Sequence, residues 1–224
     1  MSQRTFFNEP TILDFHTHSM RNADNPLVQE IISVHLGQQK DYHFFTMGMH
    51  PWWTDQPVTS TQKAKLVSYL NQEKCLAMGE MGLDNLKGPD MNTQMDILRS
   101  LLAIANDLEK PVIIHCVRAF DQFLKIKKEF PAIPNWCIHG YGRHLILARQ
   151  LIDQGCYLSL MPSKDEKYAE WFEQLPHDRL FLETDSMPNV SIIEIYDQVS
   201  KTTTIGLEAL KQQMNYNAKA FFGI

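Results

Sequence analysis

The chain has 224 residues, 44% of them hydrophobic and 21% charged. That length admits one large domain or two small ones and buries enough surface to need no disulfide staple. Its 21 Lys and Arg against 26 Asp and Glu give a net charge of −5, which argues against charge-driven binding to duplex DNA or an anionic membrane, though metal ions could still attract a small anionic substrate.

The N-terminal stretch MSQRTFFNEP lacks the apolar core of a signal peptide, and no segment approaches a membrane span, so the cytoplasm is the expected address. Apolar runs then recur at TILDF, EIISVHL, YHFFTMGM, KCLAMGEMGL, KPVIIHC, NWCIHG, CYLSL and RLFLETD. From the third run onward, helical patterns lie between them. The clearest helix is NTQMDILRSLLAIANDLEK, with a stripe of Met95, Leu98, Leu102, Ala105 and Leu108, and with Asn92 or Thr93 as its expected cap. Further stripes are Phe120, Phe123, Leu124 and then Leu145, Ala148, Leu151, Ile152, the last ended by Gly155 as a left-handed cap. Cys75, Cys116, Cys137 and Cys156 are widely spaced among apolar neighbours and read as small buried hydrophobes.

Strands alternating with helices predict a parallel sheet, and eight strands predict an α/β protein with a (β/α)8 barrel formed as a single domain over residues 1–224. The chain is short for such a barrel. The shortage falls between DFHTHS and MGMHPWW, where the first one or two outer helices are expected to be reduced or missing. That flank is a candidate homo-oligomer surface.

Five runs share one grammar: TILDFHTH, LAMGEMGLD, PVIIHC, WCIHG and LFLETD each end an apolar climb in His, Glu or Asp. In a parallel barrel these ends open on one face, so His16, His18, Glu80, His115, His139 and Asp185 converge there. Buried polar groups without partners cost several kcal/mol, and divalent cations would satisfy all six at once. His16 and His18 lie i, i+2 on a strand and can reach one ion, while Glu80 has two oxygens and can bridge two. The donor set suits Zn, Mn, Fe or Ni better than Ca, with Mg also open. Any one of these motifs alone is matched by a bland reading, such as a histidine bonded to backbone. His35, His43, His144 and His177 lack the setting and read as surface or structural, and Trp52 and Trp53 read as a packed turn with stacking on a substrate ring as the alternative.

These motifs resemble the TatD-like family of metal-dependent deoxyribonucleases, within the amidohydrolase-like barrel hydrolases. The resemblance runs in order from DFHTHS through GMHPWW, GEMGLDN, PVIIHCVRAFD, IHGYGR and LETDSMP to NYNAKAFFG. It implies two divalent ions, one on His16, His18 and Asp185 and a second on His115 and His139, with Glu80 bridging. It also implies hydrolysis of a phosphodiester in nucleic acid or a small ester, with Asp185 orienting or deprotonating the attacking water. His50 and Arg118 would meet phosphate and Asp84 would help position the site. The chain departs from the family pattern in three places. It lacks the early helix, it has two residues between His115 and Arg118 where the family often has one, and Gly140-Tyr141 follows His139.

Two other enzyme classes fit less well. PHP-type phosphoesterases share Asp-x-His-x-His but end in Asp-x-His, whereas Ser186 and Met187 follow Asp185. Amide or lactone hydrolases want a bridging lysine at a strand end. A non-catalytic barrel that keeps metals for stability and binds a partner is the third alternative.

Overall fold

A computed structural model of the chain describes residues 10–38, 42–162 and 167–224. Residues 1–9 of the stretch read above for a leader lie outside it. Eight strands form one parallel sheet in sequence order: β1 (Ile12–Thr17), β2 (Val28–His35), β3 (Phe45–Gly48), β4 (Cys75–Asp84), β5 (Val112–Val117), β6 (Trp136–Tyr141), β7 (Cys156–Leu160) and β8 (Leu180–Leu182). The helices are α1 (Ser60–Leu70), α2 (Met91–Asp107), α3 (Phe120–Lys127), α4 (Leu145–Asp153), α5 (Lys167–Gln174), α6 (Ile192–Thr202) and α7 (Leu207–Phe222). The expected barrel is therefore present. Its seam closes where Thr17 pairs with Asp185 just beyond β8. Lower on the same seam, the Tyr196 hydroxyl accepts from the Leu13 N–H and donates to the Leu13 carbonyl, both at 3.1 Å.

The missing helices are where the sequence predicts. Among the described residues, no helix occurs in the connections 18–27 and 36–44. On that flank Ile31, Ile32 and Val34 of β2 are buried, while Met20 and Leu27 of the first connection are exposed. The first connection folds back onto β2, where the Glu30 carboxylate accepts from the Arg21 N–H (3.0 Å) and the Asn22 side-chain amide (2.8 Å).

Inside the barrel, Leu13, Phe15, Ile113, Cys137, Tyr157 and Phe181 form a compact cluster with Ala218, Phe221 and Phe222 of α7. Phe15 stacks on Phe181 at 3.8 Å, and Phe221 sets its edge against Phe15, Tyr157 and Phe181. The end of α7 thus plugs the N-terminal mouth. The two asparagines of NYNAKAFFG explain that motif: Asn215 donates to the Thr11 carbonyl (2.7 Å), and Asn217 to those of His177 and Leu180 (2.7 and 2.8 Å). One helix therefore pins the start of β1 and of β8.

Two details of α2 differ from expectation. Its cap is Asp90, which accepts from the N–H groups of Asn92 and Thr93, because an aspartate just before the first helical residue reaches those donors where Asn92 and Thr93 are already helical. The buried face is rotated toward Gln94, Ile97 and Leu101, leaving Met95 and Leu108 half-buried. Gln94 earns its place by bracketing Asp84: its carbonyl accepts the Asp84 N–H (2.7 Å) and its amide donates to the carbonyls of Asp84 (2.9 Å) and Pro89 (2.7 Å). Gly155 takes the left-handed conformation after α4, φ +80°, as expected. The four cysteines are buried and unpaired. No helix among the described residues is long and apolar enough to cross a membrane.

Candidate metal centre

The site forms at the C-terminal ends of the strands, and three register slips aim its residues. Pairing shifts between Asp14 and Thr17 around His16, between Met78 and Met81 around Glu80, and between Ile138 and Tyr141 around His139. An extra residue in one strand re-aims the side chains next to it. Phe15 can therefore stay in the inner cluster while the ring of His16 lies 4.1 Å from that of His139. The slip in β4 is built on GEMG. Gly79 and Gly82 have φ of +154° and +157°, and a Cβ on Gly82 would lie 1.9 Å from the His115 carbonyl oxygen. The glycines let β4 approach β5 closely enough to bring Glu80 and His115 together.

Glu80 is the hub. Its Oε1 lies 2.7 Å from His139 Nε2, 2.9 Å from His50 Nε2 and 3.0 Å from His115 Nδ1. Its Oε2 lies 3.3 Å from His18 Nε2 and 3.5 Å from His16 Nε2. His18 Nε2 also meets Asp185 Oδ1 at 3.3 Å. Barrel closure itself positions Asp185: its N–H donates to the His16 carbonyl (2.9 Å), and the Thr17 hydroxyl donates to its carbonyl (3.1 Å).

Among the described residues, four buried polar atoms of this cluster make no hydrogen bond, although Glu80 Oε2 and His16 Nε2 face each other at ion-pair distance: both ring nitrogens of His16, Glu80 Oε2 and Glu183 Oε2. Such atoms are costly unless something satisfies them. Among the described residues, four groups of donor atoms that lie within 4.8 Å of one another occur here, namely His16, His18 and Asp185; His16, Glu80 and His139; His50, Glu80 and His115; and His139, Glu183 and Asp185. Imidazoles and carboxylates fit a transition-metal dication, so the residues present suit the expected group.

Hydrogen bonds on the far side of each ring separate ligand from donor. The Nδ1 of His139 faces Glu183 Oε1 at 3.3 Å, and the Nε2 of His115 faces Asp84 Oδ2 at 3.0 Å. A carboxylate at one nitrogen holds the proton there and leaves the opposite lone pair free to coordinate. His50 is the reverse. The Trp52 backbone N–H donates to its Nδ1 at 3.1 Å, so a neutral His50 carries its proton on Nε2 and presents a donor to the centre.

Charge is uneven across the cluster. Burial pushes the Glu80 carboxyl up, but the imidazoles of His139, His115 and His16 outweigh it and hold the group well below the usual carboxylate range. Burial is likewise outweighed at Asp185 by His18, His139 and His16, which keep it ionised. Burial pulls His18 down, yet Asp185 and Glu80 raise it to about 9. Burial dominates at His50 and lowers it, favouring the neutral ring.

Of the six expected ligands, His16, His18, His115 and His139 thus meet around the sixth, Glu80, with Asp185 joined through His18 and with His50 in direct contact with Glu80. Asp84 also receives the indole N–H of Trp52 (2.7 Å) and the backbone N–H of Leu86 (2.8 Å). Arg118 is not brought in: it is exposed on the turn after β5, with no side-chain hydrogen bond or ion pair to the cluster among the described residues. Of the histidines set aside, His144 caps α4, His177 stacks on Phe172, and His43 is exposed. His35 is closer to the site than expected, accepting the His50 N–H at 3.1 Å. Glu183 was missed. Its only sequence signal is that LETD holds two acids, of which the first follows the strand and turns inward.

The family model described as TatD related DNase matches residues 29–223. A metal-dependent hydrolase of Methanocaldococcus jannaschii is 26% identical over 202 residues, 84% of this chain and 79% of the relative. A 3′-5′ ssDNA/RNA exonuclease TatD of Pantoea ananatis is 26% identical over 209 residues, 83% and 80%. A metal-dependent hydrolase of Buchnera aphidicola is 32% identical over 147 residues, and its match spans 62% of this chain but only 54% of the relative's length. The crystal structure of YjjV, a TatD homologue of Escherichia coli, superposes with a TM-score of 0.82 at 20% identity, over 96% of this chain and all of that one. The chain belongs to the TatD-related DNase family.

Proposed function

We propose that the chain is a hydrolase that cleaves phosphodiester bonds in single-stranded or short nucleic acid with the help of two divalent ions. The observation that carries this reading is Glu80, buried and within 3.5 Å of five imidazoles, with one oxygen toward His16 and His18 and the other toward His115, His139 and His50. In this reading His16, His18 and Asp185 would hold one ion and His115 and His139 the other, with a Glu80 oxygen turned toward each set. Ions bound there would generate a nucleophile from water near neutral pH and offset charge on the phosphoryl oxygens.

The chain's own groups divide the remaining work. Asp185 is the general base because, unlike Glu80, it reaches solvent: its side chain is 21% exposed against 4%. An incoming water can therefore pass it a proton. His50, neutral and protonated on Nε2, donates to a phosphate oxygen. Glu183 and Asp84 hold His139 and His115 in the coordinating tautomer. The nuclease assignment draws on the Pantoea relative, an exonuclease of single-stranded DNA and RNA. The net charge of −5 favours a single strand over long duplex.

The test is an assay on single-stranded DNA, an aryl phosphodiester and a phosphomonoester, with and without chelator. Chelator-sensitive cleavage of the diesters is expected. Activity confined to the monoester would favour a PHP-like phosphoesterase, and turnover that survives exhaustive chelation would overturn the mechanism.

A further inference from the structure

The two tryptophans of HPWW are placed differently, and only one is accounted for by packing. Trp52 donates its indole N–H to Asp84 at 2.7 Å, carries Lys87 Nζ over its ring at 3.6 Å and sets its edge against His115. Trp53 is 55% exposed, and among the described residues its indole N–H makes no hydrogen bond to protein. The ring is also firmly placed. His50 lies against it at 4.8 Å with 38° between planes, and His35 meets it edge-on at 5.3 Å. Its backbone N–H donates to the His50 carbonyl at 3.2 Å. Trp53 lines one slot together with His18, Ser33, His35, His50 and Glu80, so an indole wall stands one ring away from the hub of the metal centre.

We infer that Trp53 is a stacking platform for a nucleobase of a single-stranded nucleic acid whose phosphate lies at the Glu80 cluster. This rests on the reading of the cluster as a phosphodiester-cleaving site, and it adds a subsite that recognises the base. A rigid indole face accepts any base, because every base has a π-face, and such stacking is sequence-tolerant. A strand lacking a base at that position would lose the contact while keeping its phosphates.

The experiment compares a single-stranded oligodeoxynucleotide with one of the same length carrying abasic residues, using wild type, Trp53→Ala and Trp53→Phe. The preference for the base-bearing strand, as a ratio of kcat/KM values, should fall on the order of tenfold in Trp53→Ala and survive in Trp53→Phe. An equal fall on both strands would mean that Trp53 acts only through His50, and an unchanged ratio would mean that it contacts nothing; either result overturns the inference. Fluorescence anisotropy of the same labelled strands keeps the two readings apart. If wild type cleaves neither strand, the catalytic reading fails, and stacking is judged on binding alone. It then stands if Trp53→Ala weakens only the base-bearing complex and falls otherwise.

Discussion

Replacing Gly82 by alanine tests whether GEMG is the device that seats the centre. The new Cβ would stand 1.9 Å from the His115 carbonyl oxygen, 2.8 Å from its carbonyl carbon and 2.9 Å from its nitrogen, at a φ of +157°. Real Cβ contacts stay beyond 3.0 Å, so β5 must retreat by roughly 1 Å, a displacement that can cost about a hundredfold in rate when it moves a catalytic group. The strained φ adds about 1–3 kcal/mol and overpacking another 1–3 kcal/mol, so the total is roughly 2–6 kcal/mol. At about 2–4 °C per kcal/mol for a chain of this size, the melting temperature falls by on the order of 10 °C. The assay is thermal unfolding alongside divalent-metal affinity. Gly206→Ala is the control, since nothing lies within 4 Å of its added Cβ, and it should cost only about 1 kcal/mol, the difference between Gly and Ala at a helix N-cap, with metal affinity unchanged. The reasoning is refuted if Gly82→Ala melts and binds metal like wild type, or if the control suffers equally.

Glu183→Gln should weaken metal binding about 10–100-fold by loosening the His139 ring, with the fold intact by circular dichroism; an unchanged affinity would remove Glu183 from the site. Phe221→Ala should cost about 3–5 kcal/mol in denaturant unfolding, because the ring is fully buried against Phe15, Tyr157 and Phe181 at the plugged end of the barrel. Cys75, Cys116 and Cys156 should resist a thiol reagent at pH 8 in the native protein and react on unfolding, since burial pushes their thiols up to about 12 and leaves almost no thiolate. Rapid native labelling would contradict that burial.

The strand ends were legible because each apolar run stops in a residue that does not belong in a core, and a parallel barrel has one face to which such residues can go. Eight strands, the trimmed flank after DFHTHS and the convergence of His16, His18, Glu80, His115, His139 and Asp185 all follow from that pattern. The slip in β1 was not legible, since nothing in the residues around His16 marks where the strand takes an extra residue. GEMG carries such a mark in its paired glycines, and Gly140, left-handed at φ +59° directly after His139, is another. Expecting His16 and His18 to share a face by simple alternation therefore gave the right neighbours for an incomplete reason. The tautomer of His50 depends on a backbone N–H from its own turn, and Glu183 lies just past β8 with its N–H still bonded to the Leu160 carbonyl, so no side-chain pattern reveals either. Gln94 was hidden because a helical stripe counts apolar residues, while its amide is buried to bracket the Asp84 backbone.

The account turns on whether Glu80 organises a two-ion centre. Elemental analysis of wild type and Glu80→Gln after loading with zinc, manganese or magnesium, with folding verified by circular dichroism, addresses this directly. The account predicts two divalent ions per wild-type chain and loss of at least one in the folded variant. A wild-type chain that retains no ion, or a variant that retains the full complement, would contradict it.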